Sequence, residues 1–322
     1  MRSSTSSSKK YGSVKRFIKT GCLFVLSWLV LLLGVDRLIA ASFPTESTFK
    51  YADMYRPGAT YPAIILGSST LAFGLNPSAL NNGPAPYYNF AFASGLPEFT
   101  LVLYRCFREQ HSRPATVLLG ADRYIFRAGM GRRIEQDMAY LPPMIGLKIA
   151  LGPHVSLRDS LWNSLAILRE KRAVEAWVTG QPRRFHVDLT RYNRGFAPLK
   201  TAAFFPAEKV ALPHNPYREE AFRQLVLEIQ QDGARVVFVQ APNHQPEART
   251  LPNDDERIQA IAKEFNSPFL NYNGARRSAL NDDKSAFADT DHLNERGAEI
   301  FSAMLSRDLA QLGLNAPTTA KR

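Results

Sequence analysis

The 322-residue chain is 45% hydrophobic and 21% charged, the balance of a globular protein with a substantial core and room for one large domain or two ordinary ones. Its formal charge of +11 is uneven: six cations and no acid lie in the first 35 residues, which leaves +5 for the remainder, too little for a nucleic-acid footprint. Cys22 lies in an apolar span and Cys106 in a helical pattern, which argues against an intramolecular disulfide, and no close pair of cysteines or histidines has zinc-ligand spacing, so neither metal nor cofactor is expected.

Residues 1–19 read as a Ser-rich basic tail carrying Arg2, Lys9, Lys10, Lys15, Arg16 and Lys19. Residues 20–41 read as a transmembrane anchor. The uncharged core, Gly21 to Val35, is short for a span of roughly 20 residues. Phe17, Ile18 and Leu38 to Ala41 extend it, and Lys19 and Arg37 can snorkel toward headgroups. Cations on this flank favour an N-terminus left in the cytoplasm and a main domain on the periplasmic or extracytoplasmic side. A signal peptide cleaved near Ala40, Ala41 and Ser42 is the alternative. Residues 42–61, with Pro44, Pro57 and Gly58 as breakers, read as a linker.

Ala63 to Leu66 is an apolar run that stops at Gly67, Ser68 and Ser69. A buried strand breaking at a small, hydroxyl-rich turn exposes a side chain at the strand's C-terminal end, where open α/β sheets keep their ligands. Ser69 is therefore a candidate nucleophile, although the same serines can simply cap the next helix. A short helix over Leu71 to Leu80, interrupted at Asn76 and Pro77, is followed by a loop over residues 81–86. Tyr87 to Phe92 reads as a second strand ending in Ala93, Ser94 and Gly95, Leu96 to Gln110 as a helix, and Ala115 to Gly120 as a third strand leading into Ala121, Asp122 and Arg123. Alternation of strand and helix implies parallel pairing through crossover helices.

Regularity fades over residues 124–215, which read as a loop-rich insertion or cap containing one helix, Leu157 to Val178, with Leu157, Leu161, Leu165 and Leu168 along one face. It returns with a helix over Tyr217 to Asp232, stopped by Gly233. A strand over Arg235 to Pro242, a helix over Glu256 to Phe265, a short strand over Pro268 to Tyr272 and a closing helix over Asn294 to Leu314 complete the domain, 62–314, and residues 315–322 form a tail.

Just before the last helix, Asp289 and His292 stand three apart in a loop, close enough for the carboxylate to accept from one imidazole nitrogen while the other takes a proton from a hydroxyl. Taken alone, His292 can equally be a helix-entry residue bonded to its own turn. The blocks together say more. Gly67, Ser68 and Ser69, then Asn89 to Gly95, and then Asp289-x-x-His292-Leu293-Asn294-x-x-Gly297 resemble the conserved blocks of the SGNH/GDSL hydrolase superfamily. The resemblance implies an α/β fold, a three-layer parallel sheet of SGNH/flavodoxin-like type, with Ser69 as nucleophile, His292 as base and Asp289 as its orienter. It also implies an oxyanion hole made by the backbone N–H groups of Ser69 and Gly95.

Two departures stand out. The first block reads Gly-Ser-Ser where simple members of that superfamily have Gly-Asp-Ser. The third strand ends in Gly120, Ala121, Asp122 and Arg123, without the Asn whose side chain lends an oxyanion donor. With the N-terminal anchor, these features resemble the membrane-tethered branch active in bacterial surface-polymer acylation, which includes the D-alanyl transfer protein of teichoic acid systems and the alginate O-acetyltransferases. That resemblance implies a membrane-bound O-acyltransferase or other envelope-polymer machinery as partner, a glycopolymer as substrate and a serine acyltransferase or esterase activity. A catalytically silent scaffold and a soluble secreted esterase are the alternatives. Asn89, Asp122, Arg123 and His244, at or just past strand ends, are candidate substrate-binding residues, and His186, Arg191 and Tyr192 sit on loops that could line the same site. A solvated or structurally bonded role is the alternative for each loop residue. His111, His154 and His214 have no motif around them and read as surface residues.

Overall fold

The computed structural model describes residues 7–42, 45–80, 87–127, 175, 178–179, 186–200, 213–244 and 254–314. Helix α1, Ser7–Ser42, contains Val14–Ile39, a stretch whose mean hydropathy reaches 2.2, long and apolar enough to cross a membrane. Helix α2, Glu46–Met54, comes next, and then the sheet begins with β1, Ala63–Leu66. Helices α3, Ser69–Gly74, and α4, Pro77–Leu80, follow, broken where the sequence puts Asn76 and Pro77. Strand β2, Tyr87–Asn89, helix α5, Pro97–Gln110, and strand β3, Thr116–Gly120, complete the N-terminal half of the sheet. After the short strands β4, His186–Val187, and β5, Leu199–Lys200, come α6, Pro216–Gln231, β6, Arg235–Gln240, α7, Asp255–Glu264, β7, Phe269–Asn271, and α8, Glu295–Gln311.

The five-stranded sheet runs β2-β1-β3-β6-β7 with every neighbouring pair parallel. Counting only its own strands in chain order, this is the 2-1-3-4-5 arrangement, which reverses direction between β1 and β3. All four residues of β1 are buried, so the strand reads as a continuous apolar run rather than an alternation. Its side chains still divide by parity. Ile64 and Leu66 join Val117, Leu119, Phe238 and the apolar faces of α5, α6 and α7. Ala63 and Ile65 join Leu118, Val237 and the inner faces of α3 and α8. Three layers result, as the sequence implies.

Two expectations are corrected. The stretch read as a linker, residues 42–61, is in large part helix α2. Tyr51 and Met54 belong to the core, and Lys50, with no exposed surface, pairs with Glu46 and donates to the carbonyl of Ala91. Its polar composition conceals this because its buried charges are partnered: Lys50 pairs with Glu46, and Asp53 accepts from Arg56, Tyr88 and Tyr192. The second strand is shorter than expected, yet its chain keeps pairing beyond Asn89, with Phe90 N–H donating to Ile65 O at 2.8 Å and Phe92 N–H to Gly67 O at 3.0 Å.

Of the insertion, residues 186–200 lie against β2, where Asn89 N–H donates to Arg194 O at 2.9 Å and so covers part of what would be a free sheet edge. The helix expected over Leu157 to Val178 lies, but for residues 175 and 178, outside the described residues.

Candidate active site

The turn after β1 places Ser69. Gly67 sits at φ 143, in a region that L side chains rarely adopt, and a Cβ there would meet the Gly120 Cα at 2.9 Å. Strand ends β1 and β3 therefore approach as closely as two glycines allow, at the point where strand order reverses. Ser68 takes extended geometry as the N-cap of α3 and accepts from Thr70 N–H, so Ser69 becomes the first helical residue. Its own backbone N–H, in the first turn, has no intrahelical carbonyl to bond. The helix is held from behind by Asn89, fully buried, whose Nδ2 donates to Leu71 O and Leu75 O, both at 2.9 Å, while its Oδ1 accepts from Ala91 N–H at 3.0 Å.

Across the sheet rim, the loop before α8 presents His292. Its Nε2 lies 2.7 Å from Ser69 Oγ, and its Nδ1 lies 2.9 Å from both oxygens of Asp289. Asp289 also accepts from the backbone N–H groups of Asp291, at 2.8 Å, and His292, at 2.9 Å. An ionised carboxylate can only accept. Nδ1 of His292 must then carry the proton, which leaves Nε2 of the neutral ring to accept from the Ser69 hydroxyl. The side chains of His292 and Asp289 retain 15% and 14% exposure, so the pair is shielded but open at one side.

The electrostatics reinforce this assignment. Burial acts to raise the Asp289 pKa, but the hydrogen bond and charge of His292 and the two N–H donors outweigh it, leaving the carboxyl below its ordinary value. For His292 burial acts to lower the pKa; the hydrogen bond to Asp289 and the charges of Asp289, Asp291 and Asp122 overcome it, and the imidazole lies above its ordinary value. Asp122 itself is raised by burial, partly offset by hydrogen bonds from Ser68 and Thr70.

The structure thus brings Ser69, His292 and Asp289 into one hydrogen-bonded line and gives other tasks to most of the remaining candidates. Gly95 is corrected as an oxyanion donor: its N–H donates to Phe92 O at 2.8 Å, because the Ala93–Ser94 turn, with Ser94 at φ 58, closes on that bond. A Cβ at Gly95 would meet Gly67 O at 2.2 Å, so this glycine serves close backbone approach. Asn89 is corrected from substrate binding to holding α3. Asp122, 5% exposed, accepts from Ser68 and Thr70 rather than facing solvent. His244, 6% exposed, has Nδ1 on Asn281 O at 3.0 Å, its ring beside Phe287, and its backbone N–H on Thr290 O at 2.9 Å, so it braces the loop carrying His292.

Arg123 lies 3.7 Å from Asp255, still partly exposed. Arg191 pairs with Glu295, and the Tyr192 hydroxyl bonds to Asp53 and Tyr88; His186 is described only by its backbone pairing with Lys200. Nor is His111 a surface residue: it is buried, with Nδ1 3.1 Å from Ala59 O and Nε2 on Met54 O. His214 is half-buried, 3.3 Å from Glu219, and His154 lies outside the described residues. Among the described residues no group of His, Cys, Asp and Glu could hold a metal ion.

Sequence reasoning missed the residues that brace this arrangement. Asn243 Nδ2 donates to Asp291 Oδ1 at 3.0 Å, and Asn281 Nδ2 donates to Asn243 O and Tyr272 O, both at 3.1 Å, linking the ends of β6 and β7 to the His292 loop. Asn243 carried a signal as an asparagine shortly after a strand end, whereas Asn281 lies ten residues beyond β7, and nothing in one sequence pairs them.

No family profile matches the chain, and no curated protein matches it. Among solved structures, a Bacteroides fragilis protein described as an acylhydrolase is similar at 12% identity and a TM-score of 0.38, covering 82% of this chain and 94% of its own. A GDSL-like lipase from Bacteroides thetaiotaomicron is similar at 12% identity and a TM-score of 0.38, covering 83% and 96%. Likenesses this distant carry no functional weight.

Proposed function

We propose that this chain is an envelope-facing, SGNH-like serine acyltransferase or esterase that handles acyl groups, O-acetyl above all, of a surface polysaccharide or glycopolymer. The observation that supports it most is the unbroken relay from Ser69 Oγ through His292 to Asp289 at the C-terminal rim of a parallel sheet. In the first step the Ser69 oxygen attacks the carbonyl carbon of an acyl donor as its proton passes to His292 Nε2. The tetrahedral intermediate collapses, the bond to the leaving group breaks, and His292 returns the proton to the departing atom. An acceptor hydroxyl, or water, then attacks the acyl-enzyme and gives its proton to Nε2, and the released Ser69 oxygen recovers it. Asp289 holds the ring and favours the imidazolium that forms twice.

Residues 20–41 would anchor the domain, with the basic flank at Lys15, Arg16 and Lys19 inside and the catalytic domain outside. A partner that brings acyl groups across the membrane, of the membrane-bound O-acyltransferase kind, would supply the donor. The test is polymer acylation in the native host. Ser69→Ala is expected to abolish it while the protein stays at normal levels in the membrane fraction.

One observation favours a second reading, a scaffold without turnover. The N–H of Gly95 is spent on Phe92, and Asp122 stands where an amide donor would be useful, so the Ser69 N–H is left as the oxyanion donor of the expected set. One lost donor costs about 100-fold to 1,000-fold in rate. Acylation that persists in Ser69→Ala but disappears when the whole protein is deleted would establish the scaffold.

A further inference from the structure

Ser69 has a hydroxyl on each side of it in sequence, and both hydroxyls go to one carboxylate. Ser68 Oγ donates to Asp122 Oδ2, and Thr70 Oγ1 donates to Asp122 Oδ1 at 2.6 Å, with the two hydroxyl oxygens 3.2 Å apart. Asp122 lies two residues past the end of β3, the strand paired with β1, so the carboxylate is fixed to the sheet rather than to the helix that carries Ser69. We propose that Asp122 is the positioning residue for the nucleophile: its two oxygens hold the residues before and after Ser69 and so fix Ser69 Oγ against His292 Nε2. This inference rests on reading Ser69 as the nucleophile.

The need for such a clamp is physical. Helix α3 is six residues long and starts three residues after β1 ends, and its first-turn N–H groups have no carbonyls of their own to bond. A misplacement of about 1 Å in a reacting group can cost roughly 100-fold. Charge-assisted hydroxyl–carboxylate bonds are about twice as strong as neutral ones, and one carboxylate has acceptor sites for both hydroxyls. An amide at 122 would offer one oxygen and turn an NH2 toward the other hydroxyl, which would have to rotate. The third-strand departure from the superfamily pattern thereby acquires a role: an acceptor of hydroxyls stands where a donor to the substrate is expected.

Asp122 also acts on the base. Among the described residues, the groups facing His292 include Asp289 and Asp291 from its own loop, Ser69 and Phe73 from α3, and Asp122 just past β3. Removing the charge at 122 removes one of the carboxylates that favour the imidazolium.

The test uses full-length protein in detergent micelles hydrolysing 4-nitrophenyl acetate. Thr70→Val, which keeps the shape and deletes the hydroxyl, and Ser68→Ala are expected to lower kcat about tenfold or more with KM within about twofold, and Thr70→Ser to restore most of the loss. Asp122→Asn is expected to lower kcat by about 100-fold and to move the acid limb of kcat/KM to lower pH. Equal rates in Thr70→Val and wild type, or equal losses in Thr70→Val and Thr70→Ser, overturn the proposal. An unmoved kcat and acid limb in Asp122→Asn overturn it too, and if that variant does not fold the Thr70 pair decides. Wild-type turnover that survives Ser69→Ala overturns the nucleophile assignment itself, a failure distinguishable from these.

Discussion

Asp289 gathers three N–H donors, one from the ring of His292 and two from the backbone of its own loop, and this concentration of donors gives the site its direction. A carboxyl held below its ordinary value stays ionised across the whole range in which a histidine titrates, so the ring is oriented before any substrate arrives. The raised pKa of His292 has the opposite consequence for activity. Only the neutral ring can accept the Ser69 proton, so raising the pKa moves the onset of activity to higher pH. The acid limb of kcat/KM for ester hydrolysis is expected above about pH 6.5, the ordinary imidazole value. In Asp289→Asn it should fall below that of the wild type, with kcat down roughly 1,000-fold to 10,000-fold. A wild-type limb at or below the ordinary value would contradict the arrangement of charge around the ring. At this scale the sequence was informative about three residues and silent about their neighbours. Asp289 and His292 are close in the chain, and Ser69 ends an apolar run, so local rules reach them. Asp122 looked like a substrate contact because nothing local shows that Ser68 and Thr70, more than fifty residues earlier, consume its oxygens.

Among the elements, α3 depends most on its surroundings. Six residues make a marginal helix, and what stabilises this one is Asn89 from the neighbouring strand, which satisfies the carbonyls of Leu71 and Leu75 in a site with no exposed surface. Asn89→Ala removes the side-chain bonds to the Leu75 carbonyl and the Ala91 N–H and leaves the Leu71 carbonyl with its bond from Leu75 N–H, a loss of roughly 2–4 kcal/mol. Thermal unfolding of the full chain is expected about 5–10 °C lower. Because the same helix carries Ser69, turnover should drop well below wild type even at temperatures where the variant remains folded. An unchanged midpoint would show that α3 is held by its apolar contacts alone. Strands β1 and β3 were legible because burial on both faces leaves an uninterrupted apolar signature. Helix α2 was not, since Lys50 and Asp53 are buried through Ala91 just past β2, Tyr88 on β2 and Tyr192, which only the fold brings close.

The whole molecule joins an apolar helix to a folded domain through very little chain. Helix α1 ends at Ser42 and α2, already part of the core, begins at Glu46, so three residues intervene. Fully extended they reach only about 10 Å. In the proposed orientation the domain works beside the bilayer, and the acyl donor must come to the membrane surface. Inserting a flexible Gly-Ser segment of about 20 residues after Ser42 should leave hydrolysis of a soluble ester unchanged and lower acylation of the host polymer about tenfold, through the lower effective concentration. Equal polymer acylation would show that the short tether has no such part. The proposed chemistry requires that one hydroxyl, primed by His292, form a covalent bond to an acyl or phosphonyl group. Mass spectrometry of the full-length protein after exposure to a fluorophosphonate tests it most directly. The expected result is a single adduct on the peptide containing Ser69, absent from Ser69→Ala and formed far more slowly in His292→Gln. Wild-type protein that stays unmodified, or an adduct that forms equally well in Ser69→Ala, would contradict it.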